Sequence, residues 1–599
     1  MSTVVSRLPA GPLVGVEVAL AGGVLAYAYP MVWWSWGVLA GGVVAATGTL
    51  LAGRARRRVT APGHASKAPA ARKAPAVRIG TVERGGLTVG VAEDAGGWFA
   101  VAELAPRLDL RPETAPLPAL AAVARVFAEG RDPSAVQLVS HTIAAPTTLL
   151  PPDSPVLASY RLLTAGESTV AHQVSWLCVR VDACDGAAVV ARHGGDRAAP
   201  ARAAAAAILR ASRTLRLSGA SCRVLDAREL SDALALSGVA GVTGGMAQVC
   251  YGVDDVPGPL AAAPAEPLVD APAEPLGDAP AEPLAAVGHE LAAALRDVTT
   301  AATTVATTVA SGPRGLRARR LVRVVAPARD LDEVDTAVRA GAIRTGVPLS
   351  RLDGRHAPAA YAAGPTGAAL PPSGGYAVAG AAAGLDPLDV PWQPLAPGAG
   401  TPAGPAVAVG VLFGRDVDRR ATVVRVFRPW PTELVVVGGR ATAQLLALRA
   451  LAVGARVYVR TPRYAEWTAL AGAAQCPDRL VVGAEPPPAA DPHRPALVVD
   501  DVDPDGATTR APLRPWQARL TVVAALAPAG ARRLADAHLA VLHRLGEDEA
   551  EVAARALGMT GDTPQALTRL PDDMVALVGG GVNSYTWLEP TPWELTVTR

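Results

Sequence analysis

The amino-acid sequence predicts a membrane-anchored α/β fold, in which two N-terminal transmembrane helices precede mixed α/β cytosolic domains. Two apolar runs support the anchor: residues 10–28 and 32–52 each span about twenty residues, enough to cross a hydrocarbon core of about 30 Å. A third observation supports the α/β part, because short apolar runs typical of strands alternate with helical runs after residue 83.

The charges around the two apolar runs predict their orientation. Arg54, Arg56, Arg57 and Arg58 follow the second run, whereas the turn between the runs carries no charge. The positive-inside rule therefore places both termini in the cytoplasm and predicts a membrane protein with two transmembrane helices. Glu17 lies within the first run, where it is expected either to face another protein helix or to reach the lipid headgroups. A cleaved signal peptide is the alternative, but the second run and the arginines argue against it.

Shifts in composition divide the chain into seven parts. In chain order, these are a transmembrane helical hairpin (10–52), a basic juxtamembrane linker (53–82), a first cytosolic α/β domain (83–255), a disordered Pro/Ala-rich insertion with an octapeptide repeat (256–315), a continuation of the first domain (316–356), a Pro/Gly-rich linker (357–405) and a second cytosolic α/β domain (406–599). The octapeptide contains two prolines per repeat, which exclude a helix or a central strand. The basic linker is suited to anionic lipid headgroups, and it lacks the aromatic residues that would stack on nucleic acid.

Local patterns predict individual elements of the first domain. Residues 87–102 are predicted to form a hairpin around a Gly-containing turn. Pro200 is expected to open a helix that runs to Leu217, and Ser231 is expected to cap a second helix. The Ala/Thr run 291–310 is compatible with a helix, although it is rich in β-branched residues.

Lysine is almost absent from the chain. Lys67 and Lys73 are the only two, and both lie in the basic linker. The predicted domains therefore cannot supply a Walker lysine, a Schiff-base lysine or a kinase-type lysine. The net charge of +2 gives no general attraction to nucleic acid, and the five cysteines form no Cys-x-x-Cys pair, as is typical of thiols in a reducing compartment.

The second domain is predicted to resemble a nucleotide-binding parallel-sheet fold that lacks its catalytic motif. Strand 434–437, helix 441–453 and strand 455–460 form a βαβ unit. The turn from Gly438 to Thr442 places glycines before the N-terminus of this helix, where α/β folds hold phosphate, but it matches neither of the usual phosphate-binding motifs. A structural domain, weak nucleotide binding and catalysis all remain open, and the structural domain is favoured.

Four acidic residues of the second domain are the strongest candidates for metal chemistry. Asp500 and Asp501 end an apolar strand that is similar to a Walker B strand, and Asp503 and Asp505 follow them. The stretch begins like a calcium loop, but its twelfth position is Pro512 instead of the required glutamate. A divalent-metal site of the sugar-transferase kind and a solvated turn are both compatible with these acids.

The histidines offer no site that can be assigned. None of the nine belongs to a metal-binding motif, and His538 and His543 are predicted to lie on different faces of one helix. The sequence therefore predicts no catalytic, cofactor-binding or metal-binding residue.

Several short strings together resemble EccE, a membrane component of the type VII (ESX) secretion system. The residues that carry the likeness are Gly97–Val101, His141–Pro146, Ser175–Asp182, the Ala-rich helix into Leu215–Leu217, Leu225–Leu230 and Leu352–His356. The likeness extends over roughly residues 10–255 and 316–360, and more weakly over 400–599. It lies in the order of the strings, because none of them is a catalytic signature.

The resemblance implies a non-enzymatic scaffold subunit of a secretion complex in the bacterial plasma membrane. Its expected partners are EccB, EccD and the ATPase EccC, which would supply the energy for export. No cofactor and no nucleic-acid partner are expected. The alternative is a membrane-anchored glycosyltransferase-like or nucleotide-binding protein that uses the acidic cluster Asp500–Asp505.

Overall fold

The computed structural model describes residues 77–598 with interruptions, the longest of which are 254–293, 369–389 and 395–407. The described residues all belong to one compact unit, Lys73–Arg599, which is built on two β-sheets. The predicted hairpin 10–52, the octapeptide repeat and most of the two predicted linkers lie outside the described residues. The lipid contact of the basic linker and the domain boundaries therefore stay predictions.

The predicted membrane anchor is contradicted. Across the residues that the structure describes, none of the helices is long and apolar enough to span a membrane. The longest of them, Ala199–Leu217, has 19 residues but includes four arginines, which are costly in hydrocarbon, and it packs on a sheet. The structure thus corrects both the fold class, a membrane-anchored α/β protein with two transmembrane helices, and the location, a plasma-membrane protein with cytoplasmic termini. What the structure shows is mixed α/β content with an extensive antiparallel sheet.

The first sheet, here called the N-terminal sheet, has the strand order β1-β2-β3-β5-β4-β8-β9-β7-β10. Neighbouring strands along this order are antiparallel, whereas the short strand β12 runs parallel to β5. The strands are β1 (Arg78–Arg84), β2 (Leu87–Asp94), β3 (Gly97–Leu104), β4 (Ala135–Ala144), β5 (Thr169–Asp182), β6 (Cys222–Val224), β7 (Met246–Val253), β8 (Ala302–Gly312), β9 (Gly315–Pro327), β10 (Leu349–Arg351), β11 (Gln393–Pro394) and β12 (Ala408–Val409). The predicted hairpin 87–102 is confirmed by β2 and β3.

Helices cover this sheet on both faces. Their bounds are Ala183–Arg192, Ala199–Leu217, Ala227–Leu236, Leu331–Thr345 and His356–Ala363, with a 3-10 turn at Ala328–Asp330; a further helix, Pro155–Leu163, lies between β4 and β5 and packs on the second sheet. The predicted helix from Pro200 to Leu217 is confirmed, and its alanines allow it to lie close to the strands. The predicted Ser231 cap is wrong, because Asp226 and Glu229 form a capping box that starts the helix earlier, at Ala227.

The Ala/Thr run 291–310, whose composition was compatible with a helix, ends in a strand. Residues Ala302–Gly312 form β8, which lies between β4 and β9 in the middle of the sheet. Threonine and valine recur along it, and β-branched side chains pack well on a pleated surface.

The second sheet, here called the C-terminal sheet, has the order β14-β13-β22-β21-β20-β15-β19-β18-β16-β17. The strands from β20 to β17 in this order are parallel, and the others are antiparallel. The strands are β13 (Val411–Arg415), β14 (Ala421–Val424), β15 (Thr432–Val437), β16 (Arg456–Arg460), β17 (Leu480–Val482), β18 (Ala496–Asp500), β19 (Gln517–Val523), β20 (Leu539–Leu542), β21 (Met574–Gly579) and β22 (Val582–Trp587). The helices are Arg440–Ala452, Tyr464–Ala474, Ala531–Ala535, Glu547–Leu557, Thr563–Thr568 and Pro592–Val597, with a 3-10 turn at Pro528–Gly530. The predicted βαβ unit is confirmed by β15, the helix Arg440–Ala452 and β16.

The two sheets share side chains and backbone. The segment between β4 and β5 leaves the N-terminal sheet, and its helix Pro155–Leu163 buries Leu157 and Tyr160 in the main core of the C-terminal sheet. Thr147 N–H donates to the carbonyl of Ala452 at 2.8 Å. The helix between β4 and β5 therefore belongs to the core of the other sheet.

Candidate functional site

The turn Gly438-Gly439 connects β15 to the helix Arg440–Ala452, as the sequence predicted. Gly438 has a φ of +85°, a left-handed conformation that favours glycine, and its N–H donates to the carbonyl of Val523 at 2.9 Å. The helix begins at Arg440 with Gly439 as its cap residue. Such a helix N-terminus, at the carboxyl end of a parallel strand, is where a phosphate could bind.

The imidazole of His543 lies against this turn. His543 follows β20, which pairs with β15, and its Nε2 is 2.7 Å from the hydroxyl oxygen of Thr442 in the first turn of the helix. A Cβ at position 439 would overlap the ring, so the close approach of the imidazole explains the glycine there. Burial lowers the pKa of His543, which keeps the ring neutral at pH 7 and gives it no charge to attract phosphate.

Arg440 forms an ion pair within the chain. Its guanidinium NH1 is 2.7 Å from the Glu466 carboxylate, on the neighbouring helix Tyr464–Ala474. Both side chains are partly exposed, so the pair contributes little to stability. It nevertheless holds the only charged residue of the turn toward a carboxylate.

The Asp501 carboxylate, just after β18, is bound by three side chains. It accepts hydrogen bonds from the Thr461 hydroxyl at 2.9 Å, from Arg463 NH1 at 3.0 Å and from the Trp467 indole N–H at 2.9 Å. Asp501 is buried. Its oxygens therefore stabilise the packing of the helix that starts at Tyr464.

Asp500 is also paired with arginine. Its Oδ1 accepts from Arg460 Nε at 2.8 Å, and its Oδ2 is 3.3 Å from Arg519 Nε. The arginines neutralise the charge of this fully buried carboxylate. No cluster of three or more metal-binding side chains occurs within the described part of the chain, and Asp503 and Asp505 lie outside it.

His538 and His543 were predicted to share a helix, and this prediction is wrong. The two residues instead flank strand β20, whose run Leu539–Leu542 is fully buried. A short all-apolar run is ambiguous between a strand and a buried helix, and its burial between β15 and β21 decided for the strand.

A second polar cluster lies in the core of the N-terminal sheet, and sequence reasoning missed it. Arg180 on β5 donates to both carboxylate oxygens of Asp94 at 2.7 and 3.0 Å, and to the Thr366 carbonyl at 3.1 Å. The Tyr361 hydroxyl also donates to Asp94. Burial raises the pKa of Asp94, but Arg180 and Tyr361 outweigh this effect and hold it below its ordinary value. The sequence does contain a signal for this cluster: an arginine lies between the apolar residues Val179 and Val181, and an arginine buried in a strand needs a buried partner.

Other strings that carried the resemblance also have structural contacts. Asp226 and Glu229 start a helix through their capping box. His356 Nδ1 accepts from the N–H of Cys250 at 3.1 Å, and this contact joins the helix His356–Ala363 to β7. These side chains therefore hold elements of the fold together.

Comparison with known proteins gives one family. Residues 169–248 match the family described as "Putative type VII ESX secretion system translocon, EccE". No curated protein matches the chain. The match supports the predicted resemblance over this segment, and the wider likeness stays a prediction. The segment runs from β5, between β3 and β4, through three helices and β6 to the start of β7, so the part of the chain that is similar to EccE supplies one inner strand of the N-terminal sheet and three of its helices.

Proposed function

We propose that the protein is a non-enzymatic scaffold subunit of a type VII (ESX) secretion translocon. The observation that carries this proposal is the match of residues 169–248 to the EccE family. The non-enzymatic role is supported by the carboxyl edge of the parallel sheet, where the chain's own side chains bind Asp500, Asp501 and Arg440.

The side chains at the same edge of the sheet also suit a protein that does not hydrolyse a nucleotide, so we infer that the energy for export comes from another subunit. Phosphoryl transfer needs cationic groups around the phosphates, yet the described residues contain no lysine, the Arg440 guanidinium at the turn is paired with Glu466, and burial lowers the pKa of His543 beside it. The ATPase subunit EccC would supply the energy, and EccB and EccD would be the other subunits in contact with this scaffold.

Two arginines on one helix provide the test. Arg440→Gln removes the charged side chain of the turn and breaks only a partly exposed ion pair, so the fold should persist. We expect this variant to co-purify with the other translocon subunits and to support secretion as the wild type does. Arg449→Gln is the matched control, because Arg449 is buried and paired with Glu594 at 3.0 Å, and its loss should abolish assembly through the fold.

Two outcomes would count against the scaffold role. One is loss of secretion by Arg440→Gln with normal folding and co-purification, which would indicate phosphate or nucleotide binding at the turn. The other is failure of the wild-type chain to co-purify with any translocon subunit from cells that secrete through this system.

A further inference from the structure

Two buried histidines, His141 and His172, and the partly buried His493 lie close together where the two sheets join. His141 lies near the end of β4 and His172 near the start of β5, both in the N-terminal sheet. His493 precedes β18 of the C-terminal sheet, so it comes from the amino ends of the parallel strands, away from the edge described above. We call these three residues, with Trp176 and Trp516, the histidine junction.

Ring contacts connect the members of the histidine junction across the two sheets. The ring of His141 stacks on Trp176 with centroids 6.0 Å apart and meets the edge of His493 at 6.3 Å. His172 meets Trp516, which precedes β19, at 4.8 Å. These contacts pack the imidazole rings against aromatic neighbours from both sheets.

The polar atoms of these rings are only partly satisfied. His141 Nδ1 is 2.9 Å from the Thr304 hydroxyl, and His493 Nε2 is 3.4 Å from the Leu236 carbonyl. Among the described residues, His141 Nε2 and His172 Nδ1 are buried without a hydrogen-bond partner. A proton added to these rings would therefore gain no acceptor within the described packing.

The charged groups around the junction are mostly cationic. The positive charge of Arg323 on β9 lowers the pKa of His141, and that of Arg425, which follows β14, lowers the pKa of His172. His493 faces Asp491 and Arg494 from its own loop, and the three histidines also act on one another. The Asp491 carboxylate raises the pKa of His493, and the Arg494 guanidinium opposes this effect by lowering it.

We propose that the histidine junction is an acid-sensitive latch between the two sheets, closed while its imidazoles are neutral and loosened when they take up protons. The buried nitrogens without hydrogen-bond partners and the surrounding arginines favour the neutral rings, and the ring contacts hold the two sheets together while the junction is closed. A protonated ring is repelled by the neighbouring arginines, and its buried N–H group has no hydrogen-bond acceptor. Both effects favour an open junction, in which water can solvate the charge.

The sign of the pH dependence follows from linkage. Burial lowers the pKa of all three histidines, that of His141 well below its ordinary value and that of His172 to about 3. The open junction, with histidine pKa values near 6.5, binds more protons than the closed one below that pH. The closed state is therefore fully favoured above pH 6.5 and loses stability as the pH falls below it. For His172 alone, the opening constant should rise about 30-fold between pH 8 and pH 5.

Amide hydrogen exchange on the full chain measures this opening. The N–H of Thr147 donates to the carbonyl of Ala452 and so reports on a contact that crosses between the sheets, and the N–H of Gly410, where the chain passes from β12 to β13, donates to the carbonyl of Val170 on β5. We expect their protection factors, corrected for intrinsic exchange, to fall at least tenfold from pH 8 to pH 5. Amides within the β15–β19 ladder should keep theirs. Equal protection of the junction amides at both pH values would overturn the proposal.

Variants that cannot take up a proton test the cause. His141→Asn keeps a polar atom near Thr304, His172→Phe keeps the ring against Trp516, and His493→Gln keeps a donor near Leu236. The triple variant should keep its protection at pH 5. His538→Asn is the control, because His538 is an exposed histidine outside the junction, and it should leave the acid response of the junction unchanged.

Folding of the variants is checked at pH 8 by the protection of the β15–β19 amides. If the triple variant fails this check, His172→Phe alone replaces it and should reduce the acid response by the 30-fold share assigned to that ring. A folded variant with the full wild-type acid response would overturn the latch.

Discussion

At the residue scale, the buried arginines of this protein stabilise carboxylates and carbonyls of the same chain. Arg180 binds Asp94 in one sheet, and Arg449 binds Glu594 in the other, with all four side chains almost fully buried. A buried ion pair offsets a large desolvation cost only when its hydrogen bonds are complete. The bonds from Tyr361 and from the Gly96 N–H to Asp94 meet this condition for the first pair.

Two substitutions compare how much a buried ion pair and a partly exposed ion pair contribute to the free energy of unfolding. Asp94→Asn should reduce the free energy of unfolding by about 3–5 kcal/mol, because it leaves the Arg180 charge without its main partner. Glu466→Gln, which breaks the partly exposed pair with Arg440, should cost at most about 1 kcal/mol. Urea unfolding followed by circular dichroism measures both values. Similar losses for the two variants would show that Asp94 does not stabilise the core in this way.

At the element scale, the strand β8 shows how context overrides a weak pattern. Alanine favours helix and threonine favours strand, so the run Ala302–Gly312 carries no clear local preference. Its place between β4 and β9 supplies the hydrogen-bonding partners that only a strand can use.

Alanine substitutions distinguish the strand from a helix by the sign of their effect. Thr303→Ala and Val305→Ala replace half-buried β-branched residues of β8, and each should destabilise the protein by up to about 1 kcal/mol. Thr336→Ala on the exposed side of the helix Leu331–Thr345 should stabilise it by a few tenths of a kcal/mol. Thermal unfolding gives the sign of each change. Stabilisation by the two β8 variants would contradict the strand.

Local sequence patterns predicted the elements that depend on near neighbours. The βαβ unit at β15 and the hairpin β2–β3 follow from alternation and turn residues, and both are present. The bond from Tyr361 to Asp94 joins residues 267 positions apart, and no local pattern encodes such a pairing. The same limit applies to the turn at Gly439, whose glycine is explained by His543 and not by a phosphate.

At the scale of the whole molecule, the chain crosses between the sheets more than once. The helix Pro155–Leu163 packs in the core of the C-terminal sheet, and β12 pairs with β5 just before the chain enters that sheet at β13. Leu110 adds a further contact, since its N–H donates to the Gly580 carbonyl at 2.8 Å. A cut in the predicted linker would therefore divide a shared core.

The fragment 406–599 should not fold by itself, although the sequence pattern predicts a separate domain there. It lacks Leu150, Val156, Leu157 and Tyr160, whose burial completes the main core of the C-terminal sheet. Each such side chain contributes about 1.5–3 kcal/mol when fully buried, so the loss of four is comparable with the whole stability of a typical domain. We expect the fragment to bind a hydrophobic dye and to unfold without a cooperative transition.

Co-expression with fragment 73–405, which supplies the helix Pro155–Leu163, should restore a cooperative transition, because the missing apolar surface is then covered. A fragment 406–599 that unfolds cooperatively without its partner would show that the C-terminal sheet is complete without the helix.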